Sequence, residues 1–113
     1  MRRVLVSGAS GGLGIEIAEG LLNDGFYVVM LCNKNKSRLD PLLDRFPNQS
    51  RAIEVNFLDD VNYDTLKQEV GEVDSVINCL GISSSQISWK IEKSQWDKVF
   101  DLNLNVPFRL AQL

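Results

Sequence analysis

Val4-Leu5-Val6-Ser7-Gly8-Ala9-Ser10-Gly11-Gly12-Leu13-Gly14 carries a short β-branched apolar run into a glycine cluster and on to a helix-like stretch beginning near Ile15. A strand delivers the chain to a turn, and glycines let the backbone approach an anion with no Cβ in the way. The following helix then offers unpaired N–H groups and its positive dipole end. The segment therefore predicts a phosphate-bearing, nucleotide-type ligand. Its spacing is G-x-x-x-G-x-G through Gly8, Gly12 and Gly14. A phosphate loop of the Walker kind would end in Gly-Lys-Ser/Thr, and no lysine follows here, which disfavours ATP or GTP hydrolysis. The blander alternative is an ordinary flexible turn that is rich in glycine; the strand–helix context around it argues against that reading.

That context repeats along the chain. Strand-like runs recur at Arg3 to Val6, Tyr27 to Leu31, Ala52 to Val55 and Val73 to Ile77, about 24 residues apart. Helical patterns lie between them. Leu13, Ile17 and Leu21 form an i, i+4, i+8 stripe, with Glu16, Glu19 and Asn23 facing away and Asn23-Asp24-Gly25 as a stop. Leu39, Leu42, Leu43 and Phe46 predict a shorter helix after Ser37. Asp60 is the expected N-cap of a third helix with apolar positions Val61, Leu66 and Val70, closed by Gly71. A last helix is expected from Ser94 through Trp96, Val99, Phe100, Leu104 and Phe108, kinked by Pro107 and still running at Leu113. Strands alternating with helices require right-handed crossovers. The fold class is thus α/β, a doubly wound parallel sheet of Rossmann type with about four strands, the first half of the full fold. Ligands bind such sheets at the carboxyl ends of the strands.

Composition narrows the chemistry. The chain has 113 residues, 44% hydrophobic and 24% charged, which predicts a single domain over residues 1–113. The longest apolar run, Phe26 to Cys32, is too short to span a bilayer, and Arg2-Arg3 is followed by too few apolar residues for a signal peptide; a cytoplasmic location is expected. A net charge of −3, with both signs interspersed, gives no footprint for nucleic acid. Cys32 and Cys79 read as free thiols rather than a disulfide pair. There is no histidine, which removes Ser-His-Asp chemistry and His-based metal sites and leaves no metal site to expect. Ser83-Ser84-Ser85, without a histidine to activate them, read as a loop rather than as nucleophiles.

Three landmarks in order resemble the short-chain dehydrogenase/reductase family. Ser7-Gly8-x-x-x-Gly12-x-Gly14 is close to the family's Thr-Gly-x-x-x-Gly-x-Gly. Asn78-Cys79-Leu80-Gly81 is a diverged form of Asn-Asn-Ala-Gly, and Trp96 to Leu110 resembles the helix that carries the active-site Asn, here Asn103. The stretches Asp74 to Gly81 and Trp96 to Phe108 look most like the 3-oxoacyl-(acyl-carrier-protein) reductase branch. The resemblance implies an NADP(H)-type dinucleotide held by Ser7, Gly8, Ser10, Gly11, Gly12, Leu13 and Gly14, with Asn56 at the adenine and Asn78 and Gly81 beside the nicotinamide ribose. Asn56 stands where the family usually has Asp; it keeps an acceptor and adds donors. Asn103 is the catalytic candidate, holding a proton-relay water, though an Asn inside a helix can also be a core residue satisfied by backbone groups.

The choice of cofactor has a physical argument of its own. NAD sites usually end the second strand with an acid that binds the ribose 2′-OH and repels a 2′-phosphate. Here Leu31-Cys32-Asn33-Lys34-Asn35-Lys36 has no acid and two lysines, so Asn33 and Lys34 are candidate binders and NADP(H) is favoured. Against it, Gly11 stands where many NADP-preferring relatives carry a basic residue, and solvated loop charges are the alternative reading of Lys34 and Lys36.

By resemblance, catalysis needs a Tyr four residues before a Lys, and a Ser. Tyr63-x-x-x-Lys67 fits the spacing, but it falls between the third and fourth strands and reads as a solvated i, i+4 pair. The 113 residues are therefore expected to be an inactive, cofactor-binding half of a carbonyl reductase whose substrate is carried on a thioester such as an acyl-carrier protein. The complete protein is expected to be a homo-oligomer. Two alternatives stay open: a non-catalytic nucleotide-binding or interaction protein, and an NAD-dependent alcohol dehydrogenase of the same family.

Overall fold

The computed structural model describes residues 2–57, 61–79, 93–94, 97 and 106–112. Their order is β1 (Arg3–Ser7), α1 (Gly12–Asn23), β2 (Tyr27–Cys32), a 3-10 turn (Lys36–Leu39) running into α2 (Asp40–Arg45), β3 (Ser50–Glu54), α3 (Tyr63–Val70), β4 (Ser75–Asn78) and α4 (Val106–Ala111). The four strands are parallel and ordered β3-β2-β1-β4. The doubly wound α/β expectation holds, and the strand order places the topological switch between β1 and β4.

Side chains alternate across the sheet as a pleated strand requires. Val4, Val6, Val28, Met30 and Cys32 pack with Ala18 and Leu22 of α1 and with Leu39 and Leu42. Leu5, Val29, Leu31 and Ile53 point the other way, onto Leu66 and Val70 of α3 and Leu110 of α4. Both faces of β1 and β2 are thus covered, which is why these strands are near-continuous apolar runs. Burying the five apolar residues from Val28 to Cys32, all at most 4% exposed, contributes on the order of 10 kcal/mol before the entropy of ordering the chain is subtracted.

Arg3 gathers the other end of the sheet. Its backbone N–H donates to Asp74 Oδ2 at 2.9 Å, its Nε to the Glu72 carbonyl at 2.7 Å and its Nη2 to the Val70 carbonyl at 3.0 Å. The guanidinium also lies 4.3 Å from the centre of the Tyr27 ring. One side chain therefore satisfies carbonyls at the end of α3 and ties β1, β2 and the approach to β4 together.

Three expectations are corrected. The buried stripe of α1 is Gly14, Ala18 and Leu22, one residue on from Leu13, Ile17 and Leu21, and Leu13 is 67% exposed. The cause is contact distance: only small residues let α1 lie against the end of β1, so the helix turns its glycine and alanine inward and its first leucine outward. The cap of α3 is Asn62, whose side chain accepts the Thr65 N–H at 3.1 Å; Asp60 lies outside the described residues. Lys67 is exposed, whereas Tyr63 is not solvated as expected. It is half-buried, with its ring centre 6.4 Å from that of Phe57 and the Arg109 guanidinium 4.5 Å above it. Of the last helix, Val106–Ala111 is described, with Pro107 in its first turn, where a missing N–H costs nothing. The expected start at Ser94 and the kink lie largely outside the described residues.

A Cβ at Gly14 would stand 2.1 Å from the Gly8 carbonyl oxygen, whereas one at Gly20 would meet nothing within 4 Å. Gly14→Ala should therefore lower unfolding stability by roughly 3 kcal/mol. Gly20→Ala, in the exposed middle of α1, should raise it by roughly 0.5–1 kcal/mol through helix propensity. Urea denaturation of both variants decides this; equal effects would contradict the close approach.

Candidate functional site

The site is built at the carboxyl end of β1. Gly8 adopts φ 63°, a left-handed conformation that glycine tolerates and β-branched residues do not. Its carbonyl accepts the Gly11 N–H at 3.1 Å, closing the turn, while the Ala9 N–H donates to the Leu31 carbonyl at 3.0 Å and fastens the turn to β2. The first helical bond of α1 runs from the Ile15 N–H to the Gly11 carbonyl at 2.9 Å. The preceding N–H groups of Gly12, Leu13 and Gly14 consequently have no acceptor inside the helix. Gly11 as N-cap lends no side chain, and no acid stands in the first turn. The positive end of α1 thus has no counter-charge from its own first turn, and Gly11, Gly12 and Leu13 are exposed there.

At the switch point, Ser7 is fully buried, and its hydroxyl donates to Asn78 Oδ1, joining the ends of β1 and β4. The Cys79 N–H donates to the Ser7 carbonyl at 3.2 Å and extends that junction. Buried Ser7 is thus joined to Asn78, which is itself exposed, and Ser10 is buried within the turn. The structure brings together Ser7, Gly8, Ser10, Gly11, Gly12, Leu13, Gly14 and Asn78. Gly81 and Asn103 lie outside the described residues.

The second lobe lies at the end of β2. Asn33 is half-buried, Lys34 and Lys36 are exposed, and Asn56 is half-buried just beyond β3. Sequence reasoning missed Glu54. It pairs in register with Cys32 and is exposed on β3, so an acid does stand beside the end of β2, brought from the neighbouring strand. The signal was the spacing of the second and third strands, which becomes readable only once their register is known.

Both cysteines are free. Burial pushes the Cys32 thiol above the ordinary range, the Glu54 carboxylate adds to this, and the Lys36 ammonium opposes it. Burial alone raises Cys79. Among the described residues no cluster of three or more His, Cys, Asp or Glu could hold a metal, and no helix is long and apolar enough to cross a membrane. A groove of about 800 Å³ lies along α3 and the approach to β4, lined by residues including Asp64, Lys67, Glu72 and Asp74. Three carboxylates against one ammonium make it a poor seat for an anion, in contrast to the end of α1.

A parallel sheet wound in both directions from a central strand, with a glycine turn at its switch point, defines a Rossmann-type α/β protein. The family model for short chain dehydrogenase matches residues 2–113, and the chain belongs to that family. It is 33% identical to an acetoacetyl-CoA reductase of Cupriavidus necator over 122 aligned positions, covering 98% of this chain and 48% of the relative. It is 28% identical to the 3-oxoacyl-(acyl-carrier-protein) reductase FabG of Staphylococcus aureus, again covering 98% and 48%. Among solved structures, a short-chain dehydrogenase from Streptomyces avermitilis superposes with a TM-score of 0.89 at 27% identity, over 99% of this chain and 43% of that one. The chain thus spans about half the length of the curated relatives it matches.

A raised thiol pKa means that the folded state prefers the protonated form, so this contribution is present below the ordinary thiol range and lost as pH rises through it. Iodoacetamide should label both cysteines slowly at neutral pH, half-buried Cys79 ahead of buried Cys32. The denaturation midpoint should fall from about pH 8.5 upward. Labelling of Cys32 as fast as that of a small free thiol would contradict its burial.

Proposed function

We propose that this chain is the NADP(H)-binding half of a short-chain carbonyl reductase. The observation that carries the reading is the end of α1, with three N–H groups free of intrahelical acceptors, no acid in the first turn and a backbone packed so closely that Gly14 admits no Cβ. A dinucleotide pyrophosphate matches that donor set. The N–H groups of Gly12, Leu13 and Gly14 would hold it, Asn56 the adenine and Asn78 the nicotinamide-side ribose, with Ser7 fixing Asn78. Lys34 and Lys36 favour the 2′-phosphorylated form. When bound, the nicotinamide supplies the hydride.

The reductase names of the relatives support a 3-oxoacyl thioester as substrate, on coenzyme A or an acyl-carrier protein. Tyr63 and Lys67 belong to α3, on the face opposite α1, and Tyr63 is occupied with Phe57 and Arg109. In this reading Tyr63 is not the proton donor to the alcohol oxygen, and Asn103 supports the residue that is. The same reading includes a homo-oligomer of the complete protein and a reducing, cytoplasmic setting that suits two free thiols.

Gly12→Asp tests the cradle. A Cβ at Gly12 meets nothing within 4 Å, and an acid in a first helical turn favours the helix, so the fold should keep its stability. The carboxylate would nevertheless stand where the pyrophosphate binds. Calorimetric titration should show NADPH binding to the parent and a loss of roughly 30-fold or more in the variant. Unchanged affinity would remove the cradle from the binding site. In the full-length protein, NADPH binding without turnover of acetoacetyl thioesters would favour a non-catalytic nucleotide-binding role.

A further inference from the structure

We infer that Glu54, reaching from β3 to the end of β2, is a specificity-determining residue that opposes the 2′-phosphate and moderates the preference Lys34 and Lys36 give for NADPH over NADH. The inference rests on the nucleotide-binding reading above.

Four observations place Glu54 there. The register pairs Met30 with Ala52, Leu31 with Ile53 and Cys32 with Glu54. Paired residues of parallel strands project to the same face. Ala52 lies with Met30 on the α1 face and Ile53 with Leu31 on the other, so Glu54 shares the α1 face with Cys32. That face carries the glycine turn, since Ala9 and Cys32 belong to one packed cluster. The Val55 N–H donates to the Cys32 carbonyl at 2.7 Å, which holds the two strand ends together at this level.

The register sets the Glu54 carboxylate beside the last residue of β2, and the charges there oppose each other: Glu54 and Lys36 act on the Cys32 thiol in opposite senses. Glu54 is exposed, and the ion pair found among the described residues, Arg45 with Glu19, does not involve it. An acid at the end of β2 is the device that accepts a ribose 2′-OH and repels a phosphate. Here Cys32 is neutral and the carboxylate comes from one strand further along. A 2′-phosphate therefore meets one carboxylate and two ammonium groups, while a 2′-hydroxyl meets an available acceptor.

Calorimetric titrations of NADPH and NADH into the full-length protein and its Glu54→Gln and Lys36→Gln variants test this. Glu54→Gln should tighten NADPH about five- to tenfold and leave NADH the same or weaker, so the ratio of the two affinities rises. Lys36→Gln should weaken NADPH and spare NADH. The rise should shrink in high salt, as expected of an exposed charge. A Glu54→Gln variant that binds both nucleotides with the parent ratio overturns the role of Glu54 and leaves the nucleotide site standing. Failure of the parent to bind either nucleotide overturns both readings. Because Glu54 is exposed, circular dichroism should be unaltered in its variant; an equal loss of both affinities with altered dichroism would mark Glu54 as structural and also overturns the inference.

Discussion

Everything at the carboxyl end of the sheet depends on one close approach, that of the first turn of α1 to the carbonyl of Gly8. A Cβ at Gly14 would come 2.1 Å from that oxygen, so the helix can lie where it does only because the residue is glycine. The approach is possible because Gly8 reverses the chain with φ 63° and because the Gly11 N–H closes the turn on the same carbonyl. From it follow the inward Gly14-Ala18-Leu22 stripe, the outward Leu13 and three N–H groups aimed past the end of β1. A bulkier turn would force α1 away from the sheet and open the core that Ala18 and Leu22 fill.

The strand order then converts a local turn into a site. With β2 and β3 on one side of β1 and β4 on the other, crossovers leave a crevice where the direction of winding reverses. Ser7 closes the floor of that crevice by donating to Asn78, and Cys79 adds a backbone bond across the same gap. On the far side, Lys36 and Glu54 bring charges of opposite sign to the end of β2, where Cys32 stands. Thus one end of the crevice is defined by backbone geometry and the other by side-chain charge.

Much of this was legible in the amino-acid sequence, for identifiable reasons. The runs Arg3 to Val6 and Tyr27 to Leu31 lie within β1 and β2, because burial on both faces demands continuous apolar side chains, and the run Ala52 to Val55 overlaps β3 but ends one residue past it. The glycine spacing marked the turn because only glycine satisfies its φ and its contact distance. The register of the α1 stripe was not legible: hydrophobicity points to Leu13, but packing distance selects Gly14. The cap of α3 was misplaced by two residues because Asp60 and Asn62 are both good caps, and only the Thr65 contact distinguishes them. The place of Glu54 beside Cys32 was not legible because it depends on cross-strand register, which is a tertiary property.

The central claim is that the amide end of α1 receives a dinucleotide pyrophosphate. Its most direct test is an amide chemical-shift map of the 15N-labelled protein titrated with NADPH. The account predicts the largest shifts at the Gly12, Leu13 and Gly14 N–H groups, with smaller ones at Asn78 and Lys36 and none in the groove beside Asp64 and Asp74. Shifts confined to that groove, or unmoved Gly12–Gly14 amides in a saturated complex, would contradict it.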